Sequence, residues 1–289
     1  MTGIFEYVVF MLLISVVAGL IGALVGVGGG ILVVPALTLI FGVPIQYAIG
    51  ASIVSVIATS SGSASAYVRD RITNLRIGMF LEIGSTTGAV IGAVSSIALV
   101  RSGYAWVVFL VFAVMLLVSA YSTAMRIRKE RSGKEMVNEK PNRVATTLSL
   151  SGEYHDKALG RDVRYVADKV FAGFGVMLFA GLLSALLGVG GGVLKVVGMD
   201  SFMKLPFKVS TTTSNFMIGV TAAASTAIYY VAGYVNPFIA APVAIGIVIG
   251  AYGGTKMLVR SKPGALRWVF IGVLLVVAFE MAQQGVSLR

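Results

Sequence analysis

Cysteine is absent from the 289-residue chain, which excludes disulfides, thiolate catalysis and cysteine-ligated metals. Histidine occurs once, at His155, inside a charged stretch where a solvated side chain is expected rather than a ligand or proton shuttle. Charge is also scarce: 12% of residues are Asp, Glu, Lys or Arg, against roughly 25% in ordinary soluble domains. A soluble fold is excluded on that ground. The apolar stretches hold almost no clustered acids or bases, which argues against an enzyme and leaves no expected cofactor or metal. The net charge of +11 would suggest nucleic acid in a soluble protein. Here the cations fall between apolar runs, so they read as topology signals and headgroup contacts, with the bilayer as partner and no nucleic acid.

What the chain does have is apolar length. Hydrophobic residues make up 57% of it and the mean hydropathy is +0.92. Crossing a ~30 Å hydrocarbon core takes about 20 apolar residues as helix, and such runs are expected at about 4–41, 48–68, 77–100, 104–125, 168–203, 209–231, 237–259 and 265–284. A β-barrel would need alternating polarity, whereas Trp106 to Val118 is apolar on every face. The expected class is an all-α polytopic membrane protein. Residues 1–10 carry no Lys or Arg and no A-x-A site follows, so the first segment reads as retained rather than as a signal peptide.

Residues 126–169 interrupt this pattern with eleven of the 23 basic and seven of the twelve acidic residues. They read as a solvated linker, with some helix allowed, too small and polar to fold alone. Around the linker the chain repeats itself: 19–30 (GLIGALVGVGGG) matches 181–192 (GLLSALLGVGGG) at an offset of 162, held without a gap for some 75 residues, 23 of them identical. The identities include Pro44 with Pro206, Ser52 with Ser214, Tyr67 with Tyr229, Asn74 with Asn236, and Gly84, Gly88 and Gly92 with Gly246, Gly250 and Gly254. The expected organisation is a first transmembrane repeat, 1–125, a charged cytoplasmic linker, 126–167, and a second repeat, 168–289. Repeats of this kind are common in secondary transporters. The spaced glycines let helix backbones approach closely, and packing alone is a sufficient reason for them.

The first and fifth segments are too long for one span, and each is broken by Gly-Val-Gly-Gly-Gly with only about 11 apolar residues to follow. Each is either one span with a frayed end or a re-entrant hairpin. Charge separates the two readings. With hairpins, loops 69–76, 126–169, 204–208 and 256–267 share one side carrying 20 Lys and Arg, and the other side has Arg101 and Arg289. That is a positive-inside distribution. Each half is then a hairpin plus three spans, an odd number, so the halves are inverted, both termini face outward and the linker is cytoplasmic.

Irregular backbone at membrane depth survives only where protein or a watery cavity satisfies it. The tips, Gly28, Gly29 and Gly30 and Gly190, Gly191 and Gly192, are therefore expected to line the pathway and present backbone N–H groups to an anion. Glycine runs also serve as hinges or packing points, and that reading stays open. The following segments supply hydroxyls and an amide, with Ser52 and Thr59 in one and Thr213, Ser214 and Asn215 in the other as candidate substrate contacts. Interhelical hydrogen bonding is the alternative for each. Lys195 stands three positions past Gly192, where the first repeat has Val33. It either attracts the substrate or snorkels to the interface. Glu82 has two readings as well, proton coupling or pairing with Arg76 or Arg71.

The paired Gly-Val-Gly-Gly-Gly elements, each followed by Pro44 or Pro206 and then a Ser/Thr-rich helix, resemble the TauE/SafE family of sulfite-exporter-like proteins. The resemblance covers both repeats. It implies an inner-membrane secondary transporter that exports a small anion such as sulfite, a sulfonate or a related organosulfur compound, with the tip glycines at the core of its site. An anion channel is the nearest rival, and a membrane-embedded enzyme the rival of a different class. Oligomeric state is not legible from these residues.

Overall fold

The computed structural model describes residues 2–25, 30–69, 72–132, 143–156, 161–260 and 263–289. The chain is helical almost throughout. Helix α1 (Thr2–Val25) precedes a short helix α2 (Gly30–Pro35) that widens into a π-helical turn over Ala36–Ile40. Three long helices follow: α3 (Ile45–Arg69), α4 (Leu75–Arg101) and α5 (Ala105–Ser132). The second half repeats the series after its own offset. Helix α6 (Arg143–Thr147) and strands β1 (Ser151–Asp156) and β2 (Arg161–Val166) come first. Then come α7 (Val170–Leu187), a short α8 (Gly192–Val197) with a π turn over Gly198–Phe202, α9 (Phe207–Val231), α10 (Pro237–Arg260) and α11 (Pro263–Ser287).

The two π turns sit at repeat-equivalent positions although the first follows Pro35 and the second Val197. A missing proline N–H therefore does not account for both. Among the described residues four helices are long and apolar enough to cross a membrane: Leu75–Arg101, Ala105–Met125, Val170–Leu187 and Phe270–Ser287. Their outward faces carry large apolar side chains such as Phe171, Phe179, Val114 and Phe279. A membrane protein needs no polar surface there, because lipid is the solvent.

After each short helix the chain runs back along the helix before it. Gly191 lies against Ala180 and Ser184 of α7, Gly198 against Val176 and Met177, and Gly173 against Met203. The loop beyond the π turn then closes on the start of α7. The N–H of Asp168 donates to Met203 O at 3.0 Å, and Lys204 pairs with Asp168 at 3.1 Å. The hydrogen bond from the Lys204 ammonium, with the Lys169 N–H donating to Asp168 Oδ1 at 2.9 Å, holds the Asp168 carboxyl below the usual carboxylate range. The first half closes the same way with different chemistry, Tyr7 donating to Phe41 O at 3.1 Å while their rings meet edge to face. Phe41 and Met203 are repeat partners at the offset of 162.

The spaced glycines do what small residues do in membranes, bringing backbones together across the halves. On α4, Gly84 faces Phe174, Gly88 faces Leu178 and Leu182, and Gly92 faces Leu182, all on α7. On α10, Gly246 faces Leu12 and Ser15, and Gly250 faces Val16 and Leu20, on α1. The contacts are equivalent pair by pair: Gly181 against Ser85 matches Gly19 against Ile247. Helix α3 packs against α9, and α5 lies against α11.

Between the halves the charged stretch holds more structure than its composition suggests. Strands β1 and β2 pair antiparallel from Ser151↔Val166 to Asp156↔Arg161, with His155 opposite Asp162. Tyr154, Tyr165, Leu150 and Ala167 are buried in one cluster with Ile77, Leu81, Met199, Met203 and Val209. Asn74 ties this hairpin to α4. Its Oδ1 caps the helix by accepting from Ile77 N at 3.0 Å, while its Nδ2 donates to Ser151 O at 3.1 Å and Tyr165 Oη at 3.0 Å. Burial pushes the Tyr165 phenol above its ordinary value. The repeat partner Asn236 likewise accepts from Phe238 N at the start of α10, at 2.9 Å.

A candidate transport site at the glycine tips

Gly30 and the Gly188–Gly192 stretch come together against α3 and α9; Gly28 and Gly29 lie outside the described residues. The second tip turns through three positive φ values, +72° at Gly188, +82° at Gly190 and +65° at Gly191, which only glycine adopts without cost. Ser52 of α3 joins the two tips, its hydroxyl within 2.7 Å of Gly188 O and 3.2 Å of Gly30 O. Ser214, the repeat partner of Ser52, donates to Gly192 O at 3.3 Å. The same serine in each half thus bonds the same glycine of its own hairpin, 30 and 192. The N–H groups of Gly190 and Gly191 make no hydrogen bond to another described residue.

These serines lead to a prediction. Ser52→Ala removes the one hydroxyl shared by both tips and leaves buried carbonyls short of a donor, a loss of about 1–3 kcal/mol. Ser214→Ala, losing a single longer bond, should cost less. Thermal unfolding of the two purified variants checks the order, and equal losses would refute the bridging role of Ser52.

Lys195 is completely buried, its side chain 0% exposed, so it does not snorkel. It stands one turn into the returning helix, with its N–H bonded to Gly191 O at 3.1 Å. Its ammonium donates to Thr221 Oγ1 at 2.5 Å and lies 3.8 Å from Glu82 Oε2. Thr221 donates in turn to Glu82 Oε1 at 2.6 Å, Thr86 donates to the same oxygen at 2.7 Å, and Ser85 Oγ is 3.0 Å from Thr221 Oγ1. Glu82 Oε2 is buried with no hydrogen-bond partner in this network. Three elements supply the cluster: α4 with Glu82, Ser85 and Thr86, α8 with Lys195, and α9 with Thr221.

The pairing expected for Glu82 is corrected here. Arg76 is exposed and stands six residues earlier on α4, about 240° around a 3.6-residue helix from Glu82; Arg71 lies outside the described residues. The partner is Lys195, distant in sequence and adjacent in space. Thr221 and Ser85 were also missed, although Thr221 repeats Thr59 at the offset of 162.

The remaining candidates serve elsewhere. Thr213 Oγ1 accepts from Asn74 N at 3.2 Å, at the start of α4 rather than at a tip. Thr59 bonds back to Ser55 O at 3.2 Å within α3. Asn215 receives the Ser60 hydroxyl on its backbone carbonyl, a bond that ties α3 to α9. Among the described residues there is no group of His, Asp and Glu that could hold a metal ion.

Broken helices whose irregular backbone is buried among long apolar helices, with one ion pair sealed beside them, define a polytopic membrane protein of the transporter class. Residues 11–281 match the family Sulfite exporter TauE/SafE, and the chain belongs to it. Among its relatives is the Probable membrane transporter protein YunE of Bacillus subtilis, 26% identical over 286 residues, 96% of this chain and 98% of that one. The Probable membrane transporter protein YdhB of the same organism is 26% identical over 86% of this chain and 88% of its own length. The Probable membrane transporter protein MJ0441 of Methanocaldococcus jannaschii is 25% identical over 96% and 97%. No solved structure matches.

Proposed function

We propose that this membrane transporter exports a small anion, sulfite or an organosulfonate, across the inner membrane by alternating access. The observation that carries the reading is a fully buried lysine beside two joined glycine tips, one of which keeps the N–H groups of Gly190 and Gly191 free of other described partners. A buried ammonium and bare amides suit a small oxyanion. The family description supports the sulfur oxyanion as the class of cargo.

The two halves are an inverted repeat in this reading, each with a re-entrant hairpin. Several contacts support it. The start of α4 meets the start of α9 through Asn74 and Thr213, and the end of α9 meets the start of α3 through Tyr234 and Gly50. Helix α3 therefore runs against its own repeat partner α9. Met203 back at Asp168, and Phe41 back at Tyr7, support hairpins that leave on the side they entered. Loop cations at 204–208 and in the linker then share the cytoplasmic side, with both termini outside. Alternating access follows as one repeat rocks against the other around the tips.

Two measurements test this. The cysteine-free chain allows single cysteines to be introduced, and Lys204→Cys and Arg164→Cys should resist a membrane-impermeant thiol reagent in intact cells while Ser102→Cys reacts. Purified protein in liposomes should give saturable flux of sulfite and sulfonates over carboxylates. Labelling of Lys204→Cys and Ser102→Cys from one side would end the inverted arrangement, and unsaturable flux would end alternating access.

A further inference from the structure

The ion pair is lopsided in a protein built from two copies of one pattern. At the offset of 162, Lys195 matches Val33 and Glu82 matches Ala244, while Thr221 matches Thr59. Acid and base are both confined to one of two equivalent places, and each is missing from the other. Packing cannot be the reason, since the other half packs the same helices with apolar residues. A buried pair replaced by apolar side chains of similar size is often neutral or stabilising, so this pair is retained at a cost and calls for a function.

Charge conservation defines that function. With the site empty, Lys195 and Glu82 together carry no net charge. An anion binding to the ammonium would leave one uncompensated negative charge in a dry interior, which is expensive. Among the described residues nothing else is placed to neutralise it. Among the described residues Lys195 is the one charged group facing Glu82: α7 has no charged residue from Val170 to Leu187, α9 has only Lys208 in its first turn, and the charges of α5 begin at Arg126. Tyr229, further along α9, is bonded to Ala185 O at 3.0 Å. The carboxylate itself has an acceptor in waiting. Oε1 takes the Thr221 and Thr86 hydroxyls, while Oε2 accepts no hydrogen bond and has only the Lys195 ammonium 3.8 Å away.

We propose that Glu82 is the proton carrier of the transport cycle: the substrate anion takes its place at the Lys195 ammonium while one proton from the aqueous phase adds to Glu82 Oε2, so anion and proton cross together without net charge. The proposal rests on the anion-transport reading above. On release the anion departs and the proton leaves Oε2, restoring the pair with Thr221 between them. Empty and loaded sites are both neutral, so the membrane potential does no work on either. Net export then requires an outward anion gradient larger than the inward proton gradient.

Full-length protein in liposomes decides this with the monoanions methanesulfonate, ethanesulfonate and isethionate as probes, since a sulfonate group stays ionised across the working pH range and any proton moved belongs to the protein. Wild type should take up one proton per sulfonate group moved. At equilibrium it should accumulate methanesulfonate about tenfold per pH unit of acid-outside gradient, whatever the potassium-diffusion potential. Glu82→Gln should move methanesulfonate without proton uptake and follow the potential instead. Wild-type accumulation that tracks potential with no proton uptake overturns the proposal whatever the variant does. If none of the three sulfonates moves, the sulfonate class under Proposed function has failed, and the proton carrier falls with it.

Discussion

Lys195→Met is expected to destabilise the protein by about 3–5 kcal/mol, the usual cost of stranding one member of a buried ion pair. The lysine is fully buried with Glu82 3.8 Å away, and α7 supplies no replacement cation. Removing the ammonium leaves Glu82 with two hydroxyl donors and a negative charge in a dry interior. Glu82→Gln strands the opposite charge and should also destabilise. The double variant Lys195→Met with Glu82→Gln removes both charges together and should recover most of the loss, because no uncompensated charge remains. Under the anion-transport reading proposed above, transport should not recover, since the anion would have lost its cation. Chemical unfolding of the three purified proteins, read beside liposome flux, checks both halves of the expectation. A double variant as unstable as the sum of the singles would mean that the pair is not coupled, and a transporting double variant would remove Lys195 from the site.

Gly88→Val and Gly250→Val should each prevent recovery of a monodisperse protein. A Cβ added at Gly88 would sit 1.9 Å from Leu178 O, and one at Gly250 would sit 2.0 Å from Val16 O. Both obstacles are backbone on a neighbouring helix, so no side chain can swing aside, and overpacking beyond the ordinary 1–3 kcal/mol is expected. Gly272→Val is the control, because nothing lies within 4 Å of a Cβ there. Size-exclusion profiles of the detergent-solubilised proteins read the result. A well-behaved Gly88→Val would show that α4 and α7 do not approach as closely as their glycines require. The equivalence of positions 88 and 250 makes the two losses similar in size.

Much of this architecture was legible before any coordinate. Apolar runs and scarce charge exclude every solvent but lipid, and a constant offset of 162 marks two copies of one unit. The break at 188–192 was visible because three adjacent glycines weaken any helix by about 1 kcal/mol each. The β-hairpin was harder to see. It is held by Tyr154 and Tyr165 against Met203 and Val209, partners that only the folded chain brings near, and its sequence is otherwise that of a solvated linker. Thr213 shows the opposite failure. Its neighbours Thr212 and Ser214 look alike in sequence, yet 100° steps around α9 point one hydroxyl at the hairpin glycine and another at α4.

By itself the sequence determined the solvent, the repeat, the breaks in the helices and the single lysine that interrupts the second hairpin, because composition and periodicity act locally along the chain. The partner of that lysine was decided only by tertiary structure. Glu82 is 113 positions away from Lys195 in the sequence, on a helix whose glycines let it lie against α7 and carry the carboxylate to the returning arm. No local pattern encodes which of two halves will fold its acid onto the other's base; the crossing of α4 with α7 and α9 does.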